Sequence, residues 1–225
     1  MIYFILVIYV TKVYIVRHCE TDGNALRIFQ GHTNNDINEM GAKQLLALGD
    51  KFKNIPLDAV YSSPLIRAHK TALAISESQN TPLFTNDGLV EINGGVYEGK
   101  TFPELKNSYP EFAEMWESKT WEFAPENGET MPEAYDRIWD TVTKIVKENK
   151  DKTIAIVSHG FVIRSLFCRI LYNDIKKFRQ LDYGFNTSVS LLEFEDETTP
   201  KIVYLNDLSH LTDDLINKNA RVPIK

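Results

Sequence analysis

Arg17 and His18 stand side by side at the end of an apolar, β-branched run in YIVRHCETDGN, residues 14–24. A packed core must satisfy or exclude both groups, so their place at the end of a buried strand points to a cleft. Two more polar clusters repeat the arrangement. Ser62-Ser63, with Arg67 four residues on, ends one short apolar run, and Ser158-His159-Gly160 ends another. Together they bring two guanidiniums and two imidazoles to one place. A guanidinium is a rigid fork of N–H donors suited to phosphate oxygens, and an imidazole acts as a nucleophile or as a donor. A helix starting at Gly160 adds backbone N–H groups and a positive dipole end. These residue types describe a phosphate pocket that needs no metal ligands.

The elements that must position them are legible from apolar periodicity. Strand character covers residues 13–16, 59–62 and 153–158, and a closing strand pair covers 188–194 with 202–205. Asn38 caps a helix whose apolar positions Met40, Leu45, Leu48 and Phe52 recur at helical spacing. Pro64 suits a first helical turn and opens a helix over 65–78; another runs over 160–171, and MPEAYDRIWDTVTKIVKEN predicts a long one. Alternation of this kind predicts a mostly parallel sheet with helices on both faces. Ligands of such sheets bind beyond the carboxyl ends of the strands, where all three polar clusters fall.

Composition narrows the partners. The chain has 225 residues and a formal net charge of −6, which disfavours nucleic acid or an anionic membrane as the main partner. It has two cysteines, Cys19 and Cys168, in unrelated contexts, so neither a disulfide framework nor a zinc site is indicated and the cytoplasm is the expected location. The apolar stretch over residues 1–10 lacks a basic region and a cleavage site, and Lys12 interrupts it well short of the ~20 residues of a membrane span. It reads as a short extension ahead of one domain over 11–225. Nothing in the sequence specifies an oligomeric state.

VRHCETDGN, SSPLIRAHKTA, LVEINGGVYEG and IVSHG, in this order, resemble the four landmarks of the histidine phosphatase superfamily, the phosphoglycerate-mutase-like enzymes. FQGHTNNDINEMG, NTSVSLLEF and LNDLSHL extend the resemblance over nearly the whole chain from Thr11. It implies a three-layer α/β/α sandwich with a helical lid inserted at about residues 100–135. It implies a metal-independent phosphomonoester hydrolase, without a cofactor, in which His18 attacks phosphorus and becomes a phosphohistidine. Arg17, Arg67 and His159 would hold the transferring oxygens with Asn24, and Gln30, Gly31 and Gly160 would complete the substrate site. Glu91 matches the family's acid/base, protonating the leaving oxygen and then activating water. Glu98 lies close by in VYEG, and either carboxylate could simply face solvent. His32 falls near enough in motif order to line the cleft, whereas His69 and His210 read as structural or exposed.

Cys19 stands where the family usually has glycine. Cysteine-dependent phosphatases place an arginine six positions after the cysteine, but those positions here are Ala25 and Asp174, so His18 keeps the attack. The substitution leaves open a phosphate-binding protein with weak turnover. A phosphoglycerate mutase is the other alternative, and it must hold a carboxylate and a second phosphate. From 101 to 135 there are two lysines, Lys106 and Lys119, against eight glutamates, and such a lid repels a second anion. The lid also offers Phe102, Tyr109, Phe112, Trp116, Trp121 and Phe123. Most of these rings should pack the lid onto the body, and one or two should face the cleft and grip an uncharged organic group.

Overall fold

In the computed structural model, residues 10–218 are described; the apolar stretch expected as an extension falls, but for Val10, outside them. Strand β1 (Thr11–Arg17) delivers Arg17 and His18, and the short α1 (Asp22–Ala25) follows under a Thr21 cap. Helix α2 (Glu39–Phe52) starts where Asn38 accepts the N–H of Gly41 at 2.8 Å, as its capping chemistry requires. Then come β2 (Ala59–Ser62), α3 (Ile66–Glu77), β3 (Leu83–Thr85), α4 (Phe102–Ser108) and α5 (Pro110–Ser118). The second half comprises α6 (Met131–Glu148), β4 (Thr153–Ser158), α7 (Gly160–Tyr172), β5 (Val189–Phe194) and β6 (Pro200–Asp207).

The six strands form one sheet in the order β3-β2-β4-β1-β5-β6. β1 pairs in parallel with β4, and β2 in parallel with β4 and β3, while β5 and β6 add an antiparallel edge. Parallel register sets Arg17 beside Ser158 and brings the ends of β1, β2 and β4 to one edge. Side chains alternate across the sheet with period two. Val13 and Ile15 pack with Ile138, Val142 and Ile145 of α6 and with Val162 and Leu166 of α7. Val16 packs on the opposite face with Leu48 and Phe52 of α2 and Ala72 and Ile75 of α3. These are the three layers of an α/β/α sandwich.

One local expectation is corrected, and one strand appears that the sequence did not signal. Pro64 precedes α3 rather than opening it, because Leu65 is extended (ψ 131°) and the Ile66 N–H is taken by Asn34 Oδ1 at 2.7 Å. β3 carries no signal of its own, being three residues long with only Leu83 packed against the apolar core. Above the strand ends, α4 and α5 join the amino-terminal turn of α6 in a second core, where Phe29, Phe112, Phe123 and Phe161 pack with Met131 and Ala134. α6 thus serves both the sheet and the helices packed above the strand ends.

Candidate active site

His18 is buried immediately beyond β1, anchored by its N–H to the Ser158 carbonyl at 3.0 Å. Its Nδ1 lies 2.6 Å from the Cys19 carbonyl, which can only accept, so Nδ1 carries the proton and the neutral ring keeps a lone pair on Nε2. Burial first, then the charges of Arg67 and Arg17, hold the His18 pKa well below the ordinary histidine value. His159 stands beside it, ring centroids 5.1 Å apart, with its Nε2 2.8 Å from Ser63 Oγ. Burial and the same two arginines keep it neutral as well.

Arg67 reaches down from α3 and donates to the carbonyls of Thr33 and Gly31, each at 2.8 Å. Gly31 is at φ +49°, and a Cβ there would lie 2.0 Å from Glu98 Oε1, so only glycine lets the loop offer that carbonyl. Arg17 donates to the Gly184 carbonyl. Gly160 lets it lie close, since a Cβ there would sit 3.3 Å from Arg17 Nε. Burial lowers both arginine pKa values, that of Arg67 to about 10. Among the described residues the buried nitrogens without a hydrogen-bond partner include three at this site, Arg17 Nε, Arg67 Nε and His159 Nδ1. Unmet polar groups in a folded protein call for an explanation, and an anion in the cleft would give the two guanidiniums one.

Of the two nearby carboxylates, Glu91 is the one in the cleft. It lines the cleft and accepts from the N–H groups of Ile92 at 2.9 Å, Phe161 at 3.1 Å and Val162 at 3.2 Å. Burial outweighs these donors and raises its pKa. Glu98 instead braces the 31–33 loop, accepting from His32 N at 2.7 Å and Thr33 N at 2.8 Å. At the start of α7 the N–H groups of Phe161 and Val162 are thus engaged by Glu91, while Gly160 lines the cleft. Asn24 lines the same cleft with its oxygen turned away, toward Thr21 N at 3.1 Å. Gln30 accepts from Thr21 Oγ at 2.9 Å. His32 is exposed and does not line the cleft, against the expectation from motif order; its Nε2 lies 2.9 Å from the Glu91 carbonyl.

Residues 13–208 match the histidine phosphatase superfamily (branch 1). The chain belongs to this superfamily. It is similar to Phosphoserine phosphatase 1 of Hydrogenobacter thermophilus, 31% identical over 200 residues that cover 89% of this chain and 94% of that one. A broad-specificity phosphatase of Saccharomyces cerevisiae is 30% identical over 214 residues, covering 91% of this chain and 89% of its own. Among solved structures, YhfR of Bacillus stearothermophilus superposes with a TM-score of 0.83 at 30% identity, covering 89% of this chain and 98% of that one. The protein is a phosphatase of the histidine phosphatase superfamily.

In this phosphatase the wall of the cleft beyond its charged end is apolar: Ile28, Phe29, Ile92, Phe102, Trp116 and Phe161. The eight lid glutamates do not line it. The lid-charge reading is thereby corrected, because the acidic groups lie elsewhere on the lid while Phe102 and Trp116 face the cleft. Trp116 stacks on Phe112 and Phe161 with interplanar angles of 13° and 26°. Cys19 is fully buried beneath the site, its Sγ 3.2 Å from Thr71 Oγ, and burial pushes its thiol up to about 11. Tyr183 is a lining residue that sequence reasoning missed. Its only signal was DYGFN, just ahead of the motif NTSV.

Proposed function

We propose that this phosphatase hydrolyses small phosphomonoesters through a phosphohistidine on His18, without a metal or cofactor in the reaction. The observation that carries the reading is the pair of buried guanidiniums, Arg17 and Arg67, which line the cleft beside a neutral His18 and keep Nε donors without a partner. A phosphoryl group gives each donor a partner and is neutralised by them. Nε2 of His18 attacks phosphorus in line, and the bond to the leaving oxygen breaks as the N–P bond forms. Glu91, whose burial makes its carboxyl keep a proton to higher pH than an exposed glutamate, gives a proton to the leaving alkoxide. As a carboxylate it then takes a proton from water, which attacks phosphorus, breaks the N–P bond and returns His18 with phosphate as product. Arg17, Arg67, His159 and Asn24 hold the transferring oxygens, Gln30 and Gly160 frame the site, and Gly31 acts through the carbonyl that positions Arg67.

The apolar wall favours a substrate whose organic part is uncharged. A mutase reading needs further cations for a second anionic group, and Arg17 and Arg67 are the only arginines or lysines lining the cleft among the described residues. The binding-protein reading rests on Cys19, which lies under the site rather than in it. We place the phosphatase in the cytoplasm on its two unpaired, buried cysteines. Among the described residues no helix is long and apolar enough to cross a membrane. The test is release of inorganic phosphate from aryl, alkyl, phosphoserine and bisphosphorylated esters under chelator, with His18→Ala as the blank. Release abolished in His18→Ala and ranked aryl first supports the reading. Release that His18→Ala retains refutes it, and preference for bisphosphorylated esters refutes the substrate class.

A further inference from the structure

Residues 186–189, the motif NTSV, form the back wall of the nucleophile. Thr187 N donates to the Arg17 carbonyl at 3.0 Å, and the Ser188 carbonyl accepts from Arg17 N at 3.1 Å. Thr187 does this at φ +58°, a left-handed conformation that β-branched residues avoid, and its hydroxyl is 3.2 Å from His210 Nε2. The strained residue places Asn186, only 4% exposed, between two parts of the site. Its Nδ2 lies 2.9 Å from the His18 carbonyl and 3.3 Å from Asn24 Oδ1.

We propose that Asn186 is a positioning residue that fixes which end of the Asn24 amide faces the phosphate and ties that end to the backbone of the nucleophile. This rests on the reading of the cleft as a phosphate pocket with Asn24 as one of its donors. The two ends of an amide side chain are set by their partners. The His18 carbonyl can only accept, so the Asn186 atom beside it is the NH2 group. The remaining proton of that group then needs an acceptor, and Asn24 supplies its oxygen. Thr21 N, 3.1 Å from the same oxygen, is a donor that demands the same orientation. With its oxygen held from behind by two N–H donors, Asn24 presents its NH2 group to the cleft. A rotated amide would set NH2 against two donors and turn a lone pair toward the phosphate oxygens. The orientation that binds substrate is therefore held from two sides, by Thr21 N and by Asn186, whose own amide is oriented by the His18 carbonyl.

The experiment is a double-mutant cycle between Asn186→Leu and Asn24→Ala, reading kcat, KM and the inhibition constant for orthovanadate, which imitates the in-line transition state. Asn186→Ser serves as a second variant should the leucine fail to fold. Asn186→Leu lowers kcat and weakens vanadate by ~10-fold or more, with KM within ~3-fold. In the Asn24→Ala background the same substitution costs less than ~2-fold, because the residue it acts through is gone. Losses that multiply in the double variant overturn the proposal, since a structural defect is indifferent to Asn24. So do unchanged kcat and vanadate affinity in a folded Asn186 variant, and so does failure of both variants to fold, which assigns Asn186 to the scaffold. Should Asn24→Ala alone leave kcat and vanadate affinity untouched, the assignment of Asn24 to the phosphate falls first.

Discussion

Replacing Glu91 with glutamine separates its two proposed jobs. The glutamine is nearly the same size, and its carbonyl oxygen can still accept from Ile92 and Val162, but its NH2 group must face the Phe161 N–H that Glu91 Oε2 now receives at 3.1 Å. One hydrogen bond becomes a clash of donors, a stability cost of about 1–3 kcal/mol that a urea titration reads independently of activity. The loss of proton transfer costs more. A positioned general acid contributes ~10²–10⁴-fold, or about 2.7–5.4 kcal/mol of barrier. That full loss is expected for alkyl phosphates, whose alkoxide cannot leave unprotonated. Aryl phosphates expel a stable phenolate, so phosphorylation of His18 should slow far less while hydrolysis of the phosphohistidine still lacks its base. Stopped-flow release of a nitrophenolate by Glu91→Gln should therefore show a burst approaching one equivalent, followed by a slow steady state. Equal losses for alkyl and aryl esters, with no burst, would refute this division of labour.

Cys19→Gly should keep activity within ~3-fold while losing about 1–2 kcal/mol of stability, from a vacated buried volume and a looser unfolded chain; a large change in kcat would show that Cys19 governs turnover. Trp116→Ala should raise KM for aryl esters ~10-fold and leave small alkyl esters almost unchanged, because only the former reach the aromatic wall. Stability should fall on acidification below about pH 6.5. His18, His159 and His210, the last lowered to about 4, stay neutral when folded and take up protons on unfolding, whereas the raised Glu91 pKa works in the opposite direction. Uptake by the three histidines sets an upper bound of about 4 kcal/mol per pH unit on the slope, and urea titrations at pH 7 and 5.5 that agree would contradict it.

The strand ends were legible because buried strands are continuous apolar runs, and a run that stops at Arg17-His18 or at His159 announces its own boundary. Asn38 announced α2 through capping chemistry in the same way. Other features had no local signal. β3 is too short for a period, and Pro64 fits either side of a helix start, so only the extended Leu65 decides the matter. Glu91 and Glu98 look alike in LVEINGGVYEG, and three-dimensional partners distinguish them: one faces the end of α7, the other a loop more than sixty residues away in sequence. Lid composition misled about charge because sequence cannot say which side of α4 and α5 meets the cleft. Asn186 was visible only as part of a motif, since its role depends on a carbonyl 168 residues earlier.

The central claim is that phosphate passes through His18. It is tested most directly by rapid acid-free quenching of the protein with ³²P-labelled aryl phosphate, followed by mapping of the labelled residue. The account predicts a label on His18 that is acid-labile and base-stable, enriched in Glu91→Gln and absent from His18→Ala. A label that survives His18→Ala, or one found on Cys19, would contradict it.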